Sequence, residues 1–366
     1  MTWLDTLEEI RKTNWSEATG EEMTLRELHE NATPGPWFRQ IGMFSGPDQG
    51  GIDIGMYECL TRTGPLFTVS AEELAPMPNL AKSWEWSEDG LQLTMNLIEG
   101  AKWSDGQPIT AHDVVYTFDR IIDEELSNAY KFADVEDITA TDATTVEFTL
   151  NQPSPHLLDD VGNYKGTAIL AEGSADEIDL RTEANGTGPF SLRSTGADGI
   201  TLEKFDDYWG DEPGVDTVEY QFISEPTAAV TGLQTGEVNW TDNVPVQQIE
   251  ELEGSDDVEV GQVASGDYWY LSMNFDQPPF DQPEVREAVN MALDREAIAD
   301  AAQFGLANVN QTAIPEESVW YHDYNPVERD VDEARSLLEE AGEEDIQMGL
   351  MVTDEYPETV EVAQVI

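Results

Sequence analysis

The sequence predicts an α/β fold with two or three domains. Residues 81–98 read as a β-rich run, a Ser-Glu-Asp-Gly turn and a second β-rich run, which is typical of a β-hairpin. Residues 114–122 then place apolar side chains on one face of a 3.6-residue period, which indicates an amphipathic helix. The chain has 366 residues, 39% of them hydrophobic, and is therefore long enough for more than one substantial core.

The start of this helix is marked by its capping residues. Trp103-Ser104-Asp105-Gly106 is a turn sequence, and Thr110 precedes Ala111-His112-Asp113 as a helix N-cap with an acid in the first turn. Further strands are expected at 135–138, 145–150, 200–205, 217–223, 236–240, 258–263, 268–275 and 346–352. Further helices are expected at 225–234, ended by Gly236, within 285–298, where two helices meet near Asp294, at 332–341, ended by Gly342, and from 357.

These motifs resemble the family 5 extracellular solute-binding proteins of ABC importers, which include dipeptide-, oligopeptide- and nickel-binding proteins. The specific stretches are W-S-D-G-Q-P-I-T-A-H-D-V-V-Y-T-F at 103–118, N-G-T-G-P-F at 185–190, D-D-Y-W-G at 206–210 and T-A-A-V-T-G-L-Q-T-G-E-V at 227–238. A fifth is the segment 278–298. One departure is Ile98, which stands where the family usually has a basic residue; we interpret it as the loss of a surface charge.

The resemblance implies a two-lobed, periplasmic-binding-protein-like fold of type II, with an extra subdomain in the first lobe and an incomplete second lobe. The implied division is a polar lead at 1–36, a first-lobe core at 37–56 and 185–266, an inserted subdomain at 57–184 and a partial second lobe at 267–366. Residues 358–366 carry no helix stop signal, whereas family members continue further. The chain therefore resembles a C-terminally truncated member.

The charge of the chain excludes some partners. Seventeen Lys and Arg stand against 76 Asp and Glu, which gives a formal net charge of -59. Nucleic acid and anionic membranes would be repelled, so neither is expected as a partner. The acids could form a sink for cationic ligands, but their even spread favours a solvated surface adapted to molar salt. The expected source is a halophile.

The sequence gives no support for catalysis or for a resident metal. Cys59 is the single cysteine, which forbids an intramolecular disulfide, and it reads as a small core residue. The four histidines have no metal-ligand spacing, and no Gly-x-Ser-x-Gly elbow occurs. The glycine-rich stretch 185–190 lacks the Lys of a phosphate-binding loop. Its two glycines flank a threonine and instead predict a tight crossover in which two backbones approach closely. We expect no enzyme, no catalytic residue and no cofactor.

Localisation is inferred from the family alone. Neither a signal-peptide core, a lipid-attachment motif nor an 18-residue apolar span is seen in the sequence. The resemblance implies an extracytoplasmic protein associated with the cell surface, and we expect no direct membrane span in this chain.

The resemblance points to Tyr130 and to residues 241–243 as ligand contacts. Ser127-Asn128-Ala129-Tyr130 resembles a family segment whose tyrosine faces the cleft; the alternative is a half-buried packing aromatic. Thr241, Asp242 and Asn243 precede a proline at which peptide-binding relatives contact ligand, and they follow a predicted strand, where α/β sheets place ligand contacts. The alternative for these three is an Asx turn that caps a loop.

A third candidate lies in the run Y-W-Y-L-S-M-N-F at 268–275, which resembles the strand that passes between the lobes. Tyr268 and Tyr270 would share one face of that strand, and Trp269 would take the other. Tyr270 and Ser272 are the predicted cleft residues.

The sequence therefore predicts a binding protein that closes two lobes around a peptide-like solute and presents it to ABC permease subunits, acting as a monomer. Aromatic cleft residues also fit oligosaccharides, whereas nickel is disfavoured without a histidine cluster. An extracytoplasmic ligand sensor on the same fold is the alternative function.

Overall fold

The computed structural model describes Met56 and residues 58–62, 76–126, 128–162, 167–180, 182–196, 199–223, 225–241, 244–261, 269–312, 314, 321–322, 326–352 and 357–366. The chain divides into two compact units. The first unit is Met1–Val244 with Asp256–Glu259, and the second is Pro245–Ser255 with Val260–Ile366. The polar lead at 1–36 and the segment 37–55 lie outside the described residues.

The described part of the first unit contains three antiparallel sheets and several helices. The pair β1-β2, the four-stranded order β3-β4-β6-β5 and the three-stranded order β7-β8-β9 are its sheets. In chain order its elements are β1 Thr61–Arg62, β2 Met77–Pro78, β3 Ala81–Trp86, β4 Gln92–Leu97, α1 Ala111–Asp123, β5 Val135–Ala140, β6 Thr145–Leu150, α2 Leu157–Asp160, α3 Ser174–Glu177, β7 Phe190–Gly196, β8 Gly199–Lys204, β9 Thr217–Gln221 and α4 Pro226–Thr235.

The predicted hairpin is confirmed as β3 and β4. Gly90 adopts a φ of 70° in the turn, a conformation that favours glycine. Asp89 accepts a 2.6 Å hydrogen bond from the Ser87 hydroxyl and a 3.2 Å bond from the Leu91 amide. These bonds hold the turn closed, and they lower the pKa of the Asp89 carboxyl, with the Ser87 bond contributing most.

The predicted helix is confirmed as α1. The Thr110 amide donates a 2.7 Å hydrogen bond to Asp113 Oδ2, so the acid of the first turn satisfies a backbone donor at the helix start. The inner face carries Phe118, whose ring meets those of Phe132 and Phe148 edge-on at centroid distances of 5.2 and 5.5 Å. His112 is exposed.

Two hydrophobic cores lie within the first unit. The first core is built by β3 to β6 and α1, and Leu93, Met95 and Trp103 are among its fully buried side chains. The second core is built by β7 to β9. Its members are Met56, Phe190, Ile200, Leu202, Val215 and Val218. Cys59 is 3% exposed, which confirms its reading as a core residue. The predicted division of the chain into a polar lead, a first-lobe core, an inserted subdomain and a partial second lobe stays a prediction.

A close backbone contact ties residues 185–190, here called the crossover segment, to Met56. The Met56 carbonyl oxygen accepts a 2.8 Å hydrogen bond from the Gly188 amide. A Cβ placed on Gly186 would lie 1.7 Å from that oxygen, so only glycine fits there. The predicted close approach of the two backbones is confirmed.

The second unit is helical in its described part. Asp294 caps α7 by accepting a 3.1 Å bond from the Ala297 amide, which confirms two helices meeting at this residue. Gly342 takes φ 74° directly after α8, and Gly236 takes φ 75° after α4 in the first unit, as the sequence predicts. The helices of the second unit are α5 Ile249–Glu253, α6 Pro283–Ala292, α7 Arg295–Gln303, α8 Val331–Ala341 and α9 Pro357–Val365.

Four predicted strands are wrong in their described parts. Residues 236–240, 258–261, 269–275 and 346–352 have no ladder partner and are irregular. A β-rich sequence becomes a strand only when a neighbour supplies the hydrogen bonds of a sheet, and propensity alone cannot provide them.

Large apolar side chains are unevenly distributed between the units. Of 15 exposed large apolar residues among those described, 13 belong to the second unit, including Met351 at 94% exposure. Among the described residues of this unit, the buried apolar side chains are small or medium in size: Leu252, Val285, Ala288, Val289, Ala302 and Ala334. The described part of the second unit therefore buries little apolar surface. No helix in the described ranges is both long and apolar enough to cross a membrane.

A substitution at Gly186 tests the crossover contact. We expect Gly186→Ala to lower the free energy of unfolding by about 3 kcal/mol, because the new methyl group overlaps the Met56 carbonyl. Gly196→Ala is the control, since no atom lies within 4 Å of a Cβ at that position. Its effect should stay within about 0.5 kcal/mol. Denaturant unfolding followed by fluorescence measures both, and equal losses in the two variants would contradict the prediction.

Salt dependence tests the reading of the charge. The melting temperature should be higher in about 1 M KCl than in about 0.1 M KCl, because the Debye length falls from about 10 Å to about 3 Å and self-repulsion is screened. Replacing the exposed Glu339, Glu340 and Glu344 by Gln should reduce this rise. A melting temperature that does not respond to KCl would refute the halophilic interpretation.

Candidate functional site

Tyr130 projects into solvent from a short 3-10 helix, Ala129–Phe132, in the first unit. Its side chain is 73% exposed, whereas Phe132 in the same turn is buried in the first core. Lys131 pairs with Asp160 at 3.6 Å and holds the turn against α2. The ring is therefore not a half-buried packing aromatic, and it is available to touch a ligand.

Thr241 is half-buried in an irregular stretch after α4. The strand expected at 236–240 does not form, so the argument that places Thr241 at the end of a strand is wrong. Asp242 and Asn243 lie outside the described residues. The resemblance to peptide-binding relatives is what remains in support of this group.

Tyr270 and Ser272 are both exposed in the second unit, and Tyr270 is 76% exposed. They alternate with the half-buried Leu271 and Met273, although these residues are not part of a strand. Trp269 is also half exposed, at 50%. The candidates thus fall on both units, with Tyr130 and Thr241 on the first and Tyr270 and Ser272 on the second.

Motif residues far apart in sequence meet at the crossover segment. The Ser104 hydroxyl donates a 3.0 Å bond to Asn185 Oδ1, and Asn185 Nδ2 donates a 3.0 Å bond to Asp105 Oδ2. The Trp209 indole Nε1 donates a 3.2 Å bond to the Thr187 carbonyl oxygen. Three of the sequence motifs, at 103–118, 185–190 and 206–210, are therefore joined by polar contacts. Their role in this structure is to hold the first unit together.

A buried carboxylate that sequence reasoning missed lies next to this junction. Glu58 is 6% exposed and accepts a 3.0 Å bond from the Tyr208 hydroxyl and a 2.6 Å bond from Asn79 Nδ2. The same Asn79 amide donates a 2.9 Å bond to the Cys59 carbonyl oxygen. A buried carboxylate needs hydrogen-bond donors. The two donors to Glu58, Asn79 and Tyr208, lie 21 and 150 residues away in the sequence. No local signal could have paired them.

Two carboxyl groups of the first unit have a raised pKa. Partial burial raises the pKa of Asp119, and the neighbouring Asp123 and Asp137 carboxylates raise it further. Partial burial and the Asp160 carboxylate raise the pKa of Asp159, while His156 opposes the change. Crowded acids are expected in so acidic a chain. Within the described ranges, no three His, Cys, Asp or Glu side chains form a group that could hold a metal ion.

Basic residues are few in this chain, and Lys204 forms ion pairs with two neighbouring carboxylates. Lys204 pairs with Glu212 at 2.8 Å and with Asp216 at 3.0 Å. These two partners raise the pKa of the Lys204 ammonium group, and the hydrogen bond to Glu212 contributes most.

Comparison with curated proteins gives two informative relatives. The glutathione-binding protein GsiB of Escherichia coli O1:K1 is 32% identical over 271 residues, which cover 72% of this chain and 52% of that protein. The periplasmic alpha-galactoside-binding protein of Rhizobium meliloti (strain 1021) is 48% identical over 128 residues, covering 33% of this chain and 18% of that protein. The chain thus spans about half the length of the GsiB relatives that it matches.

Solved structures share the fold. The Agrobacterium tumefaciens R10 periplasmic binding protein AgaA, in complex with agropinic acid, superposes with a TM-score of 0.71 at 26% identity over 94% of this chain and 67% of that one. DppA of Helicobacter pylori, in complex with the peptide STSA, gives a TM-score of 0.68 at 27% identity over 80% of this chain and 61% of that one. The α/β fold is that of the periplasmic binding proteins.

The family model for the bacterial extracellular solute-binding proteins, family 5, in its middle region, matches residues 75–366. This range holds the motifs that meet at the crossover segment and most of the described structure. The chain belongs to the family 5 extracellular solute-binding proteins.

Proposed function

We propose that this chain supplies the substrate-binding part of an ABC importer, which captures a solute outside the cytoplasm and delivers it to permease subunits. The observation that carries the proposal is the family match over residues 75–366. The relatives are named as binding proteins and none as an enzyme, which supports a binding role without turnover. The protein acts as a monomer, at the cell surface.

The proposed solute is peptide-like. Two relatives support this class, the glutathione-binding GsiB and DppA with its bound tetrapeptide. The exposed rings of Tyr130 and Tyr270 offer flat apolar surface with a phenolic hydroxyl at the edge, and Ser272 adds a small hydroxyl beside Tyr270. Such groups suit peptides because they accept side chains of varied shape at little entropic cost.

An oligosaccharide is the second candidate solute. The alpha-galactoside-binding relative is 48% identical to this chain, although over 128 residues only. Exposed aromatic rings also stack on the apolar faces of sugars, so Tyr130 and Tyr270 do not separate the two classes. An extracytoplasmic sensor that passes its signal to a partner other than a permease would use the same binding chemistry.

Binding is tested by calorimetry and thermal unfolding in molar KCl with defined tetrapeptides and with alpha-galactosides. We expect tetrapeptides to raise the melting temperature, because a ligand that binds only the folded state stabilises it. Tyr270→Ala and Tyr130→Ala should each weaken binding by about tenfold, which is the loss of about 1.4 kcal/mol of contact. Phe304→Ala is the matched control, since Phe304 is an exposed aromatic residue of the second unit that is not a candidate contact.

The outcomes separate the alternatives. Stabilisation by galactosides but not by peptides would replace the solute class. If peptides bind with equal affinity to the wild type and both tyrosine variants, the site assignment is wrong although the function stands. A chain that binds peptide without stimulating ATP hydrolysis by a cognate permease in liposomes would favour the sensor.

A further inference from the structure

The sequence contains five Asn-x-Ser/Thr triplets, which begin at Asn14, Asn31, Asn185, Asn239 and Asn310. Such a triplet is the acceptor for N-linked glycosylation when it lies in an accessible loop of an exported protein. Those at Asn14 and Asn31 lie outside the described residues. The other three have different surroundings, and the structure distinguishes between them.

The Asn185 triplet is part of the crossover segment and is held there by hydrogen bonds and close packing. Asn185 Oδ1 accepts bonds from the Ser104 hydroxyl at 3.0 Å and from the Asp105 amide at 3.2 Å, while Nδ2 donates to Asp105. The next residue, Gly186, presses against the Met56 carbonyl, and Thr187 is fully buried. A modifying enzyme could reach this asparagine only after local unfolding of the first unit.

The Asn239 triplet follows a helix end that is bonded back to α4. The Glu237 and Val238 amides both donate to the Gly232 carbonyl oxygen, at 2.8 and 3.2 Å. Trp240 and Thr241, the remaining members of the triplet, make further interactions with the fold. Backbone hydrogen bonds therefore hold the chain just before Asn239, and the two residues after it interact with other groups.

The Asn310 and Thr312 side chains of the third triplet form hydrogen bonds mainly with each other and with nearby backbone. Asn310 Nδ2 donates a 2.6 Å bond to the Thr312 carbonyl oxygen, and Asn310 Oδ1 accepts bonds from the Thr312 amide at 3.2 Å and hydroxyl at 3.3 Å. The Thr312 hydroxyl also reaches the carbonyl oxygen of Ile314, two residues on. Asn310 and Thr312 are both half-buried, but these hydrogen bonds stay within residues 310–314, so none of them ties the asparagine to a distant part of the chain.

The middle residue of this triplet fixes the loop in place. Gln311 Nε2 donates a 3.1 Å bond to the Val327 carbonyl oxygen, and Gln311 Oε1 accepts a 3.0 Å bond from the Val327 amide. Glycosylation places no demand on the middle side chain apart from excluding proline. The two Gln311–Val327 bonds thus fix the position of the loop, and the Asn310 side chain takes no part in them.

The surroundings of Asn310 give a reason for a glycan at this position. Phe304, Leu306, Val309 and Ile314 flank the triplet and are between 39% and 55% exposed. Apolar surface of this kind promotes association, and a hydrophilic glycan beside it would shield it.

We propose that Asn310 is an N-glycosylation site, given the extracytoplasmic location proposed above. The sugar donor is a lipid-linked oligosaccharide. The Asn310 amide nitrogen attacks the anomeric carbon, the new C–N bond forms as the bond from that carbon to the lipid phosphate oxygen breaks, and the lipid phosphate leaves with the electron pair. The amide nitrogen loses one proton to a base of the transferase.

The test uses the folded 366-residue chain with a single-subunit oligosaccharyltransferase and a lipid-linked oligosaccharide, and mass spectrometry of the resulting peptides. Asn310 should gain the glycan mass, and Asn185 should be at least about tenfold less modified, because its reaction requires local unfolding. Thr312→Ser should keep the modification, whereas Thr312→Val should abolish it. Gln311→Ala is the control for the loop contact and should leave the site active.

The unfolded chain completes the comparison. When it is heated before the reaction, Asn185 should become modified as well, since its contacts are then broken. An Asn310 that is modified only in the unfolded chain would overturn the proposal, as would equal modification of Asn185 and Asn310 in the folded one. If neither triplet reacts in either state, Asn310 fails as an acceptor and the assignment is also overturned.

Discussion

The first unit depends on a backbone contact that leaves no room for a side chain. The crossover segment lies against Met56 so closely that Gly186 cannot carry a Cβ, and the Gly188 amide bonds to the same carbonyl oxygen. Beside this contact, Asn185 is hydrogen-bonded to Ser104 and Asp105, which directly follow the core residue Trp103. Because a hydrogen bond and a steric limit act at one point, small errors of backbone position there are penalised strongly. The sequence motifs at 103–118, 185–190 and 206–210 meet around this close backbone contact.

Elements that are defined by their own sequence could be predicted, and elements that need a distant partner could not. The turn at Gly90, the helix start at Thr110 and the helix end at Gly342 each follow from a residue acting on its immediate neighbours. By contrast, residues 346–352 have a β-rich sequence but no strand beside them in the structure. A sheet forms between segments that can be distant in sequence. The alternation of apolar and polar residues in one segment therefore cannot show that a partner strand is present.

The candidate site shows the same limit. Exposure of Tyr130 could not be read from a motif, because an aromatic residue in a short turn is equally compatible with packing and with solvent. The buried Glu58 was missed since its donors, Asn79 and Tyr208, come from remote parts of the chain. The resemblance located the candidate segments by comparison with the family. What each side chain touches depended on the tertiary structure, and for Thr241 the local strand that supported the argument was absent.

The exposed apolar surface of the second unit has a consequence for how this chain behaves in a cell. In the described part of this unit the buried apolar residues are mostly Ala and Val, and larger side chains such as Met351 face water, so apolar burial contributes little to the stability of that part. Segments that bury little apolar surface open locally more often than closely packed ones, and an opened segment presents sites that proteases and chaperones recognise. The net charge of -59 opposes the association of opened chains by repulsion. Sparse packing in the described part of the second unit and the charge of the chain therefore act on different properties, which are susceptibility to proteolysis and solubility.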